Sequence, residues 1–186
     1  MDKAARGLPK ALSGVPHLLR MMKSKDQRTR VDAVELIGKM GSKGVTTVPR
    51  LIVALSDRKE TVSVAWAATI ALAKIGPEAK AAIKHLIAVL DDENAKVNLR
   101  QSSVIALGKI DPKGREVLPT LIRCLDTFDS TMAIGAAVAL EQIGSDARLA
   151  IPALEQRLER TSHPGLRQYL RKALNAIRKT DPNTPQ

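Results

Sequence analysis

Two short motifs recur along this chain at a common interval, and that recurrence limits its fold more than any other feature. The first motif reads GVPHLLRMM, TVPRLIVAL, AIKHLIAVL, VLPTLIRCL and AIPALEQRL. Pro16, Pro49, Lys84, Pro119 and Pro152 hold equivalent places in it, 33, 35, 35 and 33 residues apart. The second reads AVELIGKMG, ATIALAKIG, SVIALGKID, AAVALEQIG and LRKALNAIR, ending at Gly41, Gly76, Asp111, Gly144 and Arg178 with spacings of 35, 35, 33 and 34. Two ladders of one period mean a stack of similar units, because a single short unit cannot bury both of its faces.

Each unit reads as two helices. Proline is accommodated in a first helical turn, where its missing amide would have no partner, so Pro49 and its counterparts mark helix starts. Val48, Leu51, Ile52 and Leu55 then form one apolar stripe. A polar turn follows, SDRKE in the second unit and DDENAK in the third, with Asp57 or Asp91 placed to cap or turn the chain. Val64, Ala68, Ala71, Leu72 and Ile75 give the second helix its buried stripe, and Gly76 can take the left-handed conformation that stops it. The expected units are 14–44, 45–80, 81–115, 116–148 and 149–180, preceded by an extension or short cap at 1–13 and followed by a disordered tail at 181–186. The N-terminal side of the first unit is thinly covered. A short helix, further upstream repeats or a partner would each complete it. The last helix, LRQYLRKALNAIRK, has a polar outer surface suited to closing the array.

Composition agrees with helices. The chain has 22 Leu, 13 Ile, 13 Val and 25 Ala but one each of Trp, Tyr and Phe among 186 residues, which predicts an all-α fold and nearly excludes an all-β one. Apolar runs are too short to span a membrane or to form a signal peptide, and a lone cysteine, Cys124, fits a reducing, cytoplasmic setting.

The recurring pattern, Pro-x-Leu-x-x-x-Leu, then Asp, then Ala-x-x-Ala-Leu-x-x-Ile-Gly, resembles HEAT repeats. It is similar to the short bacterial kind called PBS-lyase HEAT-like repeats, most closely in IGPEAKAAIKHLIAVLDDENAKV at 75–97, and the resemblance covers roughly 14–180. It implies a right-handed α-solenoid of about five antiparallel helix pairs, whose second helices line a concave face. Lys84 for Pro, and Asp111 and Arg178 for Gly, depart from the pattern.

Catalytic constellations are missing from the sequence. His17, His85 and His163 are far apart, and neither His-x-x-x-His nor Cys-x-x-Cys occurs. Cys124 has no neighbouring histidine in sequence to activate it, and the acidic run at 91–93 lacks calcium-loop spacing. The expectation is therefore a non-enzyme without metal or cofactor.

At 100° per residue, Trp66, Ile70 and Ala73 fall opposite the buried stripe of their helix. The equivalents are Val31, Glu35 and Gly38; Gln101, Ile105 and Gly108; Ile134, Val138 and Glu141; then Gln168, Lys172 and Asn175. Trp66, Ile70, Gln101, Ile105, Ile134 and Val138 thus make a largely apolar strip, with Lys39, Lys74 and Lys109 as a ladder beside it. Two readings stand open: a partner-binding groove, or side chains covered by neighbouring helices of the stack.

The net charge of +11 lies at the ends. Residues 1–44 carry ten Lys and Arg against four Asp and Glu, 45–148 thirteen against twelve, and 149–180 seven against two. A backbone-tracking nucleic-acid binder, such as the HEAT-like DNA glycosylases, wants its cations along its length, so that alternative ranks lower. A bilin-lyase-type accessory subunit is suggested only by the name of the repeat. The leading expectation is a scaffold binding a peptide or helix of another protein on its concave face, with the lysines favouring an acidic partner. Oligomeric state is left open.

Overall fold

The computed structural model describes residues 14–57, 60–127 and 129–179; the extension expected at 1–13 and the tail expected at 181–186 lie outside them. Ten α-helices form five pairs, with no strand among the described residues. The first pair is α1 (Val15–Met21) and α2 (Gln27–Lys39), and the second α3 (Val48–Ser56) and α4 (Val62–Ile75). Then come α5 (Ile83–Asp91) with α6 (Val97–Ile110) and α7 (Leu118–Leu125) with α8 (Ser130–Ile143). The last pair is α9 (Ile151–Arg160) and α10 (Pro164–Lys179).

Proline stands in the first turn of α1, α3, α7 and α9, as the missing amide allows. Asp26 and Asp129 cap α2 and α8, the first accepting the amide of Thr29 at 2.7 Å and the second those of Thr131 at 2.8 Å and Met132 at 3.2 Å. Asp57 and Asp91 serve differently from these caps: they end α3 and α5. Second helices pass into 3₁₀ turns leading to the next unit, at Gly41–Thr47, Gly76–Ala82 and Gly144–Ala150. Gly76 (φ 78°, ψ −141°) and Gly144 (φ 66°, ψ −135°) have positive φ but extended ψ, so the stop is a glycine-only bend rather than a left-handed helical cap. Asp111 replaces that bend in the third unit. Its φ is negative, Gly114 three residues later takes φ 65°, and the Asp111 carboxylate accepts the amides of Glu116 at 2.7 Å and Val117 at 3.3 Å.

The helices form two rows. The second helices α2, α4, α6, α8 and α10 pack against one another in succession, whereas the first helices touch their own row far less. Close spacing on one side and loose spacing on the other curves the stack, placing the second helices on its inner, concave side. Small residues make the tight joints: a Cβ added to Gly38 would lie 3.2 Å from the Ala71 Cα, and one added to Gly108 would lie 2.5 Å from the Ala139 Cβ. The core runs unbroken through the pairs, with Leu18, Leu51, Leu72, Leu86, Leu107, Leu121, Leu140, Leu154 and Leu170 fully buried.

Arginines also join successive units. Arg30 of α2 donates to both Glu60 carboxylate oxygens in a largely buried pair, and also to the Ser24 and Lys25 carbonyls at the end of the first unit's turn. Arg123 pairs with Asp91, and Arg157 donates to the Thr127 carbonyl.

Candidate concave binding face

Helices α4, α6 and α8 are enclosed on nearly every side, which explains the small and apolar residues around them, alanines above all in α4 and α8. Only one line along each faces solvent on the inner side. In α4 it runs Val62, Trp66, Ile70 and Lys74; in α6 it runs Val97, Gln101, Ile105 and Lys109. The spacing of four residues drifts by about 40° per step on a helix of 3.6 residues per turn, so each line slants across its helix and brings the lysine to one side of the apolar residues.

Among the residues singled out from sequence, Trp66 and Ile105 are each 42% exposed. Ile70, Gln101, Ile134 and Val138 are half-buried, and Lys39, Lys74 and Lys109 are exposed. The buried arc is wider than the periodicity suggested. Ala73, Gly38 and Gly108, expected on the open side with Trp66 and Ile105, are buried instead, the two glycines facing Ala71 and Ala139 of neighbouring second helices at close range. Val62 and Val97, 38% and 48% exposed, extend the strip by one helical turn and were not singled out. Their signal was present, four residues before Trp66 and Gln101.

A pocket of about 260 Å³ lies at the joint of α2 and α4. Ala67 and Ala71 line it with Trp66 and Ile70, while Glu35, Lys39 and Lys74 supply its polar groups. The missing side chain of Gly38 lets the Lys74 stem cross the joint, its Cδ standing 3.5 Å from where a Cβ would be. Ile105 likewise leans over Gly135 of α8. The three lysines of the ladder occupy the last turn of α2, α4 and α6, where unpaired carbonyls favour a cation. Beyond the opposite end of the strip, a wider cleft of about 760 Å³ opens between the outer turns of the second and third units, with Asp57, Glu60, Asp91 and Asp92 among its walls.

Among the described residues, the cysteine and the histidines lie away from this face. Cys124 is buried in α7, where desolvation pushes its thiol up to about 11. The His163 ring nitrogen Nδ1 accepts the amide of Leu166 at 3.1 Å, capping α10. His85 lies in the outer cleft, its ring held neutral to lower pH by burial and by Lys84 beside it. What the concave face offers is shape, apolar area and positive charge.

The family model for HEAT repeats matches residues 15–98 and again 83–175. The chain belongs to the HEAT repeat family. No curated protein matches the sequence. Among solved structures, the HEAT stack is similar to a designed armadillo repeat protein in complex with the peptide (KR)4, at a TM-score of 0.65 and 20% identity, over 90% of this chain and 82% of that one. At that identity the likeness is one of fold.

Proposed function

We propose that this HEAT stack is a non-catalytic protein-binding scaffold that holds a segment of a partner on its concave face. The observation that carries the reading is the exposure of Trp66 and Ile105, 42% each, on helices enclosed by their neighbours on nearly every other side. A large aromatic and aliphatic groups left open in a continuous strip are the usual material of a binding surface, and a tryptophan at its centre suits an anchor. The designed armadillo relative, named with its bound peptide, supports a peptide-holding role for a stack of this kind. Its peptide is basic, however, and the row Lys39, Lys74 and Lys109 would repel such a ligand here. The repeat interval of 33–35 residues and the stretch at 75–97 support the bacterial PBS-lyase HEAT-like subtype as part of the same proposal, and the buried, unreactive Cys124 accords with a cytoplasmic site of action.

Affinity capture from the source cells with the wild type and with Trp66→Ala tests the reading. A partner held by the wild type should be weakened by at least about 2 kcal/mol in the variant, as for a hot-spot residue. Equal retention of every captured protein by the two would overturn concave-face binding.

A further inference from the structure

We infer that the occupant of the concave face is a single amphipathic α-helix, acidic along one flank, lying along the stack from α2 to α8. The inference rests on the concave-face reading and adds to it the shape and charge of the ligand.

Width argues for a helix. The apolar part of the open line on α4 runs from Val62 to Ile70, about 12 Å along the helix axis, with Lys74 one turn beyond it. An α-helix with its side chains is about 10–12 Å across and fills that span, whereas one extended strand leaves much of it wet. Length and register agree. Packed helices stand about 8–10 Å apart, so the three steps from α2 to α8 cover about 24–30 Å, or about 16–20 residues of a bound helix. One step corresponds to about five to seven residues of that helix, so apolar side chains recurring every one and a half to two turns would meet Trp66 and Ile70, then Ile105, then Ile134 and Val138 in turn.

Charge fixes which flank is acidic. The lysine row borders one side of the apolar strip over the first three units, and Gln142 follows in the fourth. In the α2–α4 pocket, Lys39 and Lys74 stand against one carboxylate, that of Glu35. Beyond the other end of the strip the cleft walls carry Asp57 and Asp92 with a single lysine, Lys96, while Glu60 and Asp91 are paired with Arg30 and Arg123, so among the described residues no row of cations receives an acidic flank turned that way. A helix with apolar residues on its face and carboxylates on one flank therefore has one favoured rotation about its axis. Its carboxylates cluster over the first three units, because the cations do.

The test uses the described protein and three synthetic peptides of about eighteen residues. One is an amphipathic helix with leucines on one face and glutamates on one flank; the second has lysine for each glutamate; the third is the first with its order shuffled so that no face remains. Binding of the first should shift Trp66 emission, raise the peptide's helical circular dichroism, and weaken about tenfold in Lys39→Gln/Lys74→Gln/Lys109→Gln, whose substitutions lie on exposed positions. The lysine peptide and the shuffled peptide should bind at least about tenfold more weakly. Equal binding of the lysine peptide, or no loss in the triple variant, overturns the acidic flank while the groove stands. Equal binding of the shuffled peptide, or binding without gain of helix, overturns the helix. Unchanged affinity of the glutamate peptide for Trp66→Ala overturns the concave-face reading itself, and no binding of any peptide overturns both.

Discussion

The inner and outer rows of helices are built from the same sequence units yet use opposite packing rules. In the inner row, Gly38, Ala71, Gly108 and Ala139 bring backbones close, and nearly every side of α4 and α6 is buried. The outer row keeps larger apolar residues on the side facing its own partner helix and leaves Val53 and the connector residue Leu149 open to water. Small side chains at one set of joints are enough to bend the stack and so to create a concave face.

The comparison would break first at the core. Leu72 is fully buried in the inner row, and Leu72→Ala should cost about 2–5 kcal/mol in chemical denaturation. Leu149, 78% exposed, should lose no more than about 0.5 kcal/mol on the same change. Similar losses would mean that the inner helices and the connectors do not differ in burial.

Two glycines sharpen the same contrast and should move in opposite directions. A Cβ at Gly108 meets the Ala139 Cβ at 2.5 Å and its Cα at 3.1 Å, so α6 and α8 must part; Gly108→Ala should destabilise by about 1–3 kcal/mol despite alanine's helix preference. At Gly135 the nearest atom, Cγ1 of Val104, lies 3.5 Å away, an ordinary contact, and Gly135→Ala should stabilise by up to about 1 kcal/mol. Melting curves of the two variants settle the matter by their sign.

Trp66 reports on the inner surface directly. Its partial exposure predicts a red-shifted emission, quenched by acrylamide, in the free protein. A blue, unquenched indole would place it inside the stack.

The smallest effect belongs to the outer cleft. The folded protein lowers the pKa of His85, so the unfolded chain binds that proton more readily, and acidification through the ordinary histidine range near 6.5 should slightly favour unfolding. In His85→Gln the melting temperature should fall less between pH 7.5 and pH 5.5 than in the wild type. An identical fall in both would remove His85 from the account.

Much of this architecture was legible because a repeated motif averages out local ambiguity. Prolines at equivalent places, alanines on one stripe and glycines at the ends all bear on the same two-helix unit, and the all-α stack follows. The line Trp66, Ile70, Ile105, Ile134 and Val138 could be phased from helical geometry alone. What escaped was the breadth of burial. A periodicity argument assigns one buried side to each helix, but α4 meets its own first helix and two inner neighbours, so Ala73 is enclosed as well. Gly38 and Gly108 read as gaps in a surface when they are points of contact. Val62 and Val97 escaped because they begin their helices, where a valine after a polar turn looks like part of the turn.

The unequal rows have a mechanical consequence. Inner joints made of glycine and alanine against backbone have almost no slack, since a shift of a few tenths of an ångström brings atoms into collision. Outer helices touch lightly, and the side chains that tie them, such as Arg123 to Asp91, are long and exposed. Such a body flexes like a fan, with its rivets along the inner line and its leaves free to open or close. Its pitch can change through the outer row, while the inner row keeps its spacing.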